Sequence, residues 1–365
     1  MNNTKGKIGL RQALVIFFLA SVSPLIRLIP SYLSETSEQA SWVVPIISII
    51  PLTLLILVLN SFFNKAKKRT FSSLEEVLEG AYGKVLTKGI LILYTIWIII
   101  LCSMQVRLIA ERYATTLFIY SSEKLFVILS LVLVYFALKG SFETLARFSE
   151  IGAIILFVIL SLIAIIAIQN FNVKNVYPVT FYDSKGIMNG MLSVVSIFSS
   201  ITYIFFMGDI INDKENLKRS GKRLAIWYAF ITLLIVFVTI GCFGYKVVNA
   251  FTHPFFIALK STRFMEMLEG VDGMFVSLWL MMDFFLVSYY LFIATAMVKK
   301  VFKLKSRKTI VTPLIFLVYI LSFLVASSFF ELTEFSSKFL VPINLIFGFG
   351  VIIITYLALK LRKII

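Results

Sequence analysis

The residue types in this chain exclude several kinds of chemical site. It contains one histidine, His253, and two cysteines, Cys102 and Cys242, which are too few for a structural zinc site or a disulfide framework. A Ser-His-Asp or Cys-His arrangement would have only His253 as its base, and that residue stands beside Pro254 in an expected exposed loop. We therefore expect neither enzymatic activity nor a metal or other cofactor.

The residues with chemical potential are charges inside apolar segments. In QVRLIAERYATT, Arg107 and Glu111 are four residues apart, so on a helix they share a face and can pair, with Arg112 beside them. Arg27 lies at a similar depth in the first apolar segment, where it can meet Glu111 across helices. A charge in lipid costs roughly 2.5–3.5 kcal/mol, so each needs a partner or a purpose. The cluster is either an ion-pair lock between two helices or a site for the charged ends of an amino acid.

Asp283, in SLWLMMDFFLVSYY, is the most isolated charge, because no basic residue lies within a turn or two of its own helix. Ionised, it needs a cation, a proton pathway or an arginine from another helix; protonated, it can make an interhelical hydrogen bond. We expect a role in coupling or gating, and the neutral hydrogen bond is the alternative.

The elements that position these residues are membrane spans. Hydrophobic residues make up 59% of the 365 residues and charged residues only 15%, with a mean hydropathy of +0.95. This composition excludes a soluble globular protein. Apolar runs of about 20 residues, the length that crosses a bilayer core, recur along the chain. We predict an all-α polytopic membrane protein with ten transmembrane helices, at about residues 8–33, 42–63, 89–116, 120–138, 146–169, 187–208, 224–245, 273–298, 310–330 and 339–359.

The net charge of +16 follows from membrane orientation. Most of the 35 Lys and Arg residues fall in alternate loops, and basic loops stay on the cytoplasmic side. The pattern predicts that both termini are cytoplasmic, and it removes the case for nucleic-acid binding.

Ten spans divide into two units of five, and a tandem unit with an odd number of spans must insert its second copy upside down. We therefore predict one permease-like domain with a five-plus-five inverted repeat, over about residues 8–169 and 187–361. Such transporters often interrupt the first helix of each repeat at the binding site. In span one, Ser21-Val22-Ser23-Pro24 suits an interruption, because Pro24 lacks a backbone donor; an ordinary proline kink is the alternative. Span six has serines at mid-depth without Pro or Gly.

The predicted binding pocket lies between spans one, three and six. Freed backbone groups of interrupted helices would bind the ends of a small zwitterion, and hydroxyl groups would add hydrogen bonds. The expected substrate-binding residues are Ser21, Ser23, Arg107, Glu111, Ser199, Ser200 and Tyr203. Arg27 and Asp283 are assigned to gating or coupling, with Arg27 and Glu111 as a candidate gate.

Several segments resemble the spore germination permease family. KGSFETLARFSEI, with Gly140, Glu143, Arg147 and Glu150, resembles a characteristic stretch of that family. KIGLRQALVIFFL resembles its opening, SWVVPIISIIPL its second span, TFSSLEEVLEGAYGK its inner helix, and FMEMLEGVDGMFVSLWL its loop into span eight. The similarities follow one another in order along essentially the whole chain.

The resemblance implies the integral-membrane B subunit of a nutrient germinant receptor in endospore-forming bacteria. It also implies the LeuT-like fold of the amino acid–polyamine–organocation transporter group. The expected location is the spore inner membrane, the expected partners are an A subunit and a lipoprotein C subunit, and the expected ligand is a small germinant, often an amino acid. Two other functions stay open: a proton-coupled amino-acid permease using Asp283 or Glu111, and a structural or ion-conducting subunit without a ligand.

Overall fold

The computed structural model describes residues 7–64, 71–116, 118, 120–260, 271–325 and 329–364, which are mostly helical. The α-helices are α1 (Leu10–Ser37), α2 (Val44–Phe63), α3 (Leu74–Tyr82), α4 (Lys84–Thr116), α5 (Glu123–Lys139), α6 (Phe142–Ala167), α7 (Ser184–Ser199), α8 (Leu217–Phe243), α9 (Tyr245–Ala250), α10 (Pro254–Lys260), α11 (Val271–Val301), α12 (Lys308–Leu324), α13 (Phe329–Phe335), α14 (Val341–Leu345) and α15 (Val351–Leu361). Segments of 3-10 helix lie at Glu38–Val43, Ile168–Asn170, Val173–Asn175, Phe181–Asp183, Ser200–Ile210 and Lys214–Asn216, and π-helical segments at Ser336–Leu340 and Ile346–Gly350. Two short strands, β1 (Ile8–Gly9) and β2 (Ile211–Asn212), pair in parallel.

Seven helical stretches of the described chain are long and apolar enough to cross a membrane. One of them, Leu10–Phe63, contains two of the predicted spans, α1 and α2, joined by a 3-10 turn. Helices α5 and α12 have 17 residues each, fewer than the roughly 20 that a typical span needs. The all-α, multi-pass architecture is confirmed, and the count of ten spans stays a prediction.

The outside of the helical bundle is apolar, as lipid contact requires. Leu133 of α5, Ile154 of α6 and Phe316 of α12 are all about half exposed or more. Helix α1 runs through the centre, where it packs against α6, α7, α8 and α11. The residues of α1 from Leu19 to Arg27 are all buried, so the polar side chains among them face other helices and not lipid.

The loops that were predicted to be cytoplasmic meet on one face of the bundle, here called the inner face. The pairing of β1 with β2 brings the start of α1 next to the end of span six. Lys300 Nζ lies 3.2 Å from Glu75 Oε2 and 3.3 Å from Asp209 Oδ1. Arg307 Nη2 donates to the carbonyl oxygen of Gly140 at 2.6 Å. The residues in these side-chain contacts come from four loops or helix ends. The distribution of Lys and Arg predicts that all four lie on the same side of the membrane.

The loops that were predicted to be external meet at the opposite end, the outer face. Ser37 Oγ donates to the carbonyl oxygen of Gly186 at 2.9 Å, and Trp42 Nε1 donates to that of Val176 at 3.2 Å. The grouping of loops agrees with alternating spans. That the inner face is cytoplasmic rests on its basic residues and stays a prediction.

The sequence also predicts two surface helices: Ser72-Ser73-Leu74-Glu75 has the pattern of a capping box that begins an inner helix, and residues 255–270 have helical apolar spacing on the outer side. The inner one is α3, but its first turn is held by Ser72, which donates from N and Oγ to Glu76 at 2.7 and 2.5 Å. The sequence pattern had indicated Glu75 as this partner. For the outer helix, expected over 255–270, α10 covers Pro254–Lys260 and the remainder lies outside the described residues.

The predicted interruption of span one is wrong, and span six changes conformation instead. Helix α1 stays α-helical through Ser21 and Pro24, because a proline removes only one backbone donor and the surrounding helices hold the rest. In span six, α7 ends at Ser199, and the chain continues in 3-10 geometry from Ser200 to Ile210, with a kink at Met207 (φ −98°, ψ 18°). Runs of 3-10 helix this long are uncommon and often mark a hinge.

Candidate functional site

Asp283 of α11 is the centre of a buried polar cluster that joins three helices. Its Oδ1 accepts a 2.5 Å hydrogen bond from Ser23 Oγ of α1. Its Oδ2 accepts a 3.0 Å hydrogen bond from the Tyr113 hydroxyl of α4 and forms an ion pair with Arg112 of α4. All four side chains are buried. We call Ser23, Arg112, Tyr113 and Asp283 the α1–α11 latch.

Arg112 is the functional residue that sequence reasoning left without a role. Its guanidinium carbon lies 4.0 Å from the centre of the Trp279 ring, so the charge is held between a carboxylate and an aromatic face. The sequence held a usable indication: Asp283 lacked a basic partner on its own helix, and Arg112 is one residue from Glu111, hence on a different face of α4 from the expected pair. Asp283 or Arg112 alone would place an uncompensated charge in the membrane, whereas the pair has no net charge.

The predicted ion pairs around Glu111 are wrong. Arg107 pairs with Glu123 at the start of α5, and Arg27 Nη2 donates to Gln105 of α4. Glu111 is buried, and its Oε2 has no hydrogen-bond partner within the described part of the chain. An i,i+4 pair is weaker when the arginine precedes the glutamate, so Arg107 favours the carboxylate beyond the end of its own helix.

The span-six residues form a second buried network, around Asn344 of α14. Asn344 Nδ2 donates to the Ser196 carbonyl oxygen at 2.6 Å and to Ser200 Oγ at 3.1 Å. Its Oδ1 accepts a 2.5 Å hydrogen bond from the Tyr203 hydroxyl, and its backbone oxygen accepts one from Ser199 Oγ at 3.2 Å. The amide is satisfied by protein groups, so these serines join helices in this conformation.

The predicted pocket residues are therefore divided between two clusters. Ser23 lies in the latch, whereas Ser199, Ser200 and Tyr203 lie in the Asn344 network. Ser21 joins neither, because its hydroxyl donates within α1 to the Phe18 carbonyl oxygen at 2.7 Å. Arg107 and Glu111 lie beside the latch on α4.

Two tyrosines of α11 connect the clusters. The Tyr289 hydroxyl donates to the Ser200 carbonyl oxygen at 2.6 Å, and the Tyr290 hydroxyl donates to Ser200 Oγ at 3.4 Å. Both tyrosines lie within two turns of Asp283 on the same helix. Helix α11 thus contacts α1 through the latch and span six at its change from α to 3-10 geometry.

A cavity of about 570 Å³ lies between the outer half of α1, α7 and the segment that follows α9. From α1 it is lined by Arg27, Ser31 and Glu35, which share a helix face because they are four residues apart. Ile197 of α7 and His253 line it from other sides. Its size is typical of a small-molecule site.

His253 is buried in the wall of this cavity, so the expected exposed loop is wrong. The residue is 5% exposed, and neither ring nitrogen has a hydrogen-bond partner among the described residues. Burial, together with repulsion from Arg112 and Arg27, lowers the pKa of His253 to about 3. The imidazole is therefore neutral at physiological pH and carries one donor and one acceptor.

The cavity and the latch share side-chain contacts. The His253 ring meets the Trp279 ring edge-on, with centroids 6.2 Å apart, and Trp279 in turn stacks on Arg112 of the latch. On α1, Arg27 of the cavity follows Ser23 of the latch by one helical turn. A molecule in the cavity can thus act on the latch through two short routes.

The described residues contain no group of three His, Cys, Asp or Glu side chains that could hold a metal ion. Within the same residues neither Cys102 nor Cys242 forms a disulfide bond.

Comparison with known proteins gives one family. The model of the family described as "Spore germination protein" matches residues 7–330. The chain is 24% identical over 274 residues to Spore germination protein KB of Bacillus subtilis (strain 168), covering 71% of each protein. Its structure resembles that of a Na⁺-coupled sialic acid symporter in a substrate-bound outward-open state, with a TM-score of 0.62. The two sequences are 13% identical, and the match covers 94% of this chain and 79% of the symporter chain. The predicted LeuT-like transporter fold is thereby confirmed. The chain belongs to the spore germination permease family and is a multi-pass protein of the spore or cell membrane.

Proposed function

We propose that this chain is the integral-membrane subunit of a nutrient germinant receptor. Its proposed ligand is a small germinant, an amino acid, that binds in the outer cavity. Family membership and the transporter fold support a receptor of this kind. The observation that carries the proposal is that one helix, α1, lines the cavity with Arg27 and joins the latch with Ser23, one turn away.

The proposed mechanism is a population shift between two arrangements of α1 and α11. A ligand changes such an equilibrium only if it binds one arrangement more tightly than the other. Reversing a 1:99 equilibrium needs about 5.5 kcal/mol of differential binding. Contacts with Arg27 alter the position of α1, and the Ser23–Asp283 hydrogen bond passes that change to α11.

The signal then leaves through other proteins. An A subunit and a lipoprotein C subunit are the proposed partners, and the name of the related Bacillus protein supports a germination role. Helix α11 ends at the inner face, where Lys300 bridges Glu75 and Asp209. Movement of α11 would therefore change the inner face as well as the cavity.

A proton-coupled amino-acid permease is the second candidate. Two observations favour it: the fold resembles that of a coupled symporter, and Glu111 has a buried carboxylate oxygen without a partner in the described chain. Saturable uptake of an amino acid into liposomes that contain only this chain would support it. A receptor subunit predicts binding in such liposomes, with a germination response only when the partners are present.

The experiment compares Ser23→Ala and Ser34→Ala in spores that lack the native copy. Spores without the chain are first screened against amino acids, sugars and ions to find the nutrient that depends on it. Ser34 is the matched control, because it is buried on the same helix and donates only within it, to the Ser31 carbonyl oxygen at 2.7 Å. Ser23→Ala should change the half-maximal nutrient concentration at least threefold at normal protein level. Equal dose–response curves for the two variants would contradict the mechanism.

A further inference from the structure

The buried end of the outer cavity carries an arginine with unused hydrogen-bonding capacity. Arg27 is 3% exposed, and its Nη2 donates to Gln105. Its Nε and Nη1 have no hydrogen-bond partner among the residues that the structure describes. A guanidinium has five N–H donors in a fixed fork, and leaving buried donors unpaired is costly.

The neighbouring acids do not supply the missing acceptor. Asp283 pairs with Arg112, and Glu123 pairs with Arg107. Glu111 is within electrostatic reach of Arg27 but forms no ion pair with it. Arg27 thus lines the cavity and carries donors on Nε and Nη1 that no group of the described residues accepts.

His253 adds a second unpartnered polar group to the same cavity. It is neutral, and each of its ring nitrogens lacks a partner within the described chain. One ring nitrogen can donate to an anionic oxygen next to Arg27. Within the described residues, the unpaired donors of Arg27 and the unpaired ring of His253 in one cavity indicate a ligand that brings its own acceptors.

We propose that Arg27 and His253 form a carboxylate subsite, in which Arg27 Nη1 donates to one oxygen of a ligand carboxylate and a ring nitrogen of His253 donates to the other. A hydrogen bond from a guanidinium to a carboxylate is roughly twice as strong as one between neutral groups. This inference deepens the proposed function and relies on it only for the location of the ligand.

The acidic side chains at the outer end of the cavity also disfavour the binding of a simple anion. Glu35 lies two turns beyond Arg27 on α1, about 12 Å further out at 1.5 Å per residue, and it is exposed. Glu334, which also lines the cavity, is 60% exposed but pairs with Lys338 at 2.5 Å, so Glu35 supplies the negative charge of the rim. A basic buried end and an acidic rim orient a zwitterion with its carboxylate inward and disfavour a ligand with negative charge alone.

The test measures binding to the purified full-length chain in lipid nanodiscs, by isothermal titration. The probes are L-alanine, L-valine and L-asparagine as zwitterions, propionate as an anion, L-alaninamide as a cation without a carboxylate, and D-glucose as a neutral molecule. At least one zwitterion should bind, propionate should bind at least tenfold more weakly than that zwitterion, and L-alaninamide and D-glucose should not bind detectably.

Variants assign the binding to this corner of the cavity. Arg27→Gln should weaken binding of the zwitterion at least thirtyfold, and Arg27→Lys should weaken it less, because a lysine keeps the charge but not the fork. His253→Phe should weaken it three- to tenfold. Arg147→Gln is the control, because Arg147 is 73% exposed on α6 and pairs with Glu143 at 2.6 Å. This variant should bind the zwitterion as tightly as the wild type does. Elution volume and the melting temperature without ligand show whether each variant is folded.

Binding of L-alaninamide or D-glucose as tight as that of the zwitterions would overturn the carboxylate subsite. Unchanged binding in a folded Arg27→Gln variant would overturn it, as would the absence of binding by every carboxylate probe. The proposed function is judged separately, from the nutrient response of spores that depend on this chain. Germination by a neutral nutrient through this cavity would contradict the subsite and leave the receptor role intact.

Discussion

At the scale of single residues, the ion pair between Asp283 and Arg112 is the most consequential contact. Breaking a buried ion pair by removing one charge costs about 3–5 kcal/mol, because the other charge stays buried without a partner. Asp283→Asn leaves Arg112 in that state, so we expect a lower melting temperature and a weak or absent nutrient response.

The double variant Asp283→Asn with Arg112→Gln is the control for this prediction, since it removes both charges. It should recover most of the stability that the single variant loses, while the nutrient response stays impaired. Thermal unfolding of the purified proteins gives the first quantity, and spore dose–response curves give the second. An Asp283→Asn protein as stable as the wild type would show that the carboxylate is not paired as described.

His253 leads to a prediction about pH. Its pKa of about 3 in the folded protein is below the ordinary value of about 6.5, so between these values the unfolded chain binds a proton that the folded protein does not. Stability is therefore complete above pH 6.5 and falls as the pH decreases, by about 2 kcal/mol at pH 5 from this residue alone. His253→Gln does not titrate, so it should lose less stability than the wild type between pH 7.5 and 5. If thermal unfolding shows the same loss of stability for the wild type and for His253→Gln, His253 is exposed to solvent and not buried.

Which charged residues matter was predictable from the sequence, but most of their partners were not. Arg27, Glu111 and Asp283 were identified because charges in lipid require an explanation. Their partners depend on the rotation of each helix about its axis, which packing sets and local spacing does not. Glu123 also lay beyond the segment in which a partner for Arg107 was sought.

At the scale of elements, the join between α7 and the last span depends on a glycine. A Cβ at Gly348 would lie 2.7 Å from the Ser199 Cβ and 2.8 Å from its carbonyl oxygen, closer than any ordinary contact. We predict that Gly348→Ala separates the π-helical segment from Ser199 and costs about 1–3 kcal/mol through overpacking. The matched control is Gly350→Ala, because there the nearest atom is the Leu345 carbonyl oxygen at 3.7 Å.

The two variants should separate clearly in thermal unfolding. Gly350 has helical angles, with φ −61°, so an alanine there should be neutral or slightly stabilising. If Gly348→Ala melts at the same temperature as Gly350→Ala, the close approach of the last span to Ser199 is incorrect.

The positions of the helices followed from hydropathy, whereas their irregularities did not. The proline at 24 made span one the expected place for a break, yet its neighbours keep α1 helical. Span six has no Pro or Gly near Ser200, so nothing in its composition marked the change to 3-10 geometry. Its hydroxyl groups donate to backbone oxygens, as Thr202 Oγ1 does to the Ser199 carbonyl oxygen at 2.9 Å. Asn344, which is distant in the sequence, forms hydrogen bonds with other groups of span six.

At the scale of the whole molecule, fold and family were predictable because both depend on patterns that extend along the chain. Apolar runs and the alternation of basic loops identified a multi-pass helical protein, and family motifs in order identified the transporter fold. The outer cavity was not predictable, because residues from five parts of the chain line it. His253, one of those residues, had the sequence context of an exposed loop.

If the germinant binds in the outer cavity of this chain, a change in the size of that cavity should alter which germinants act. Ile197 lines the cavity, whereas Ile201 is buried nearby and does not. Ile197→Ala enlarges the cavity, and Ile201→Ala removes the same atoms elsewhere, so the two variants share the cost of a buried truncation. The measurement is the half-maximal concentration for germination over amino acids of increasing side-chain volume. Ile197→Ala should shift the preference toward larger side chains by at least fivefold relative to Ile201→Ala. An unchanged order of preference, with all amino acids affected equally in both variants, would mean that the germinant binds elsewhere.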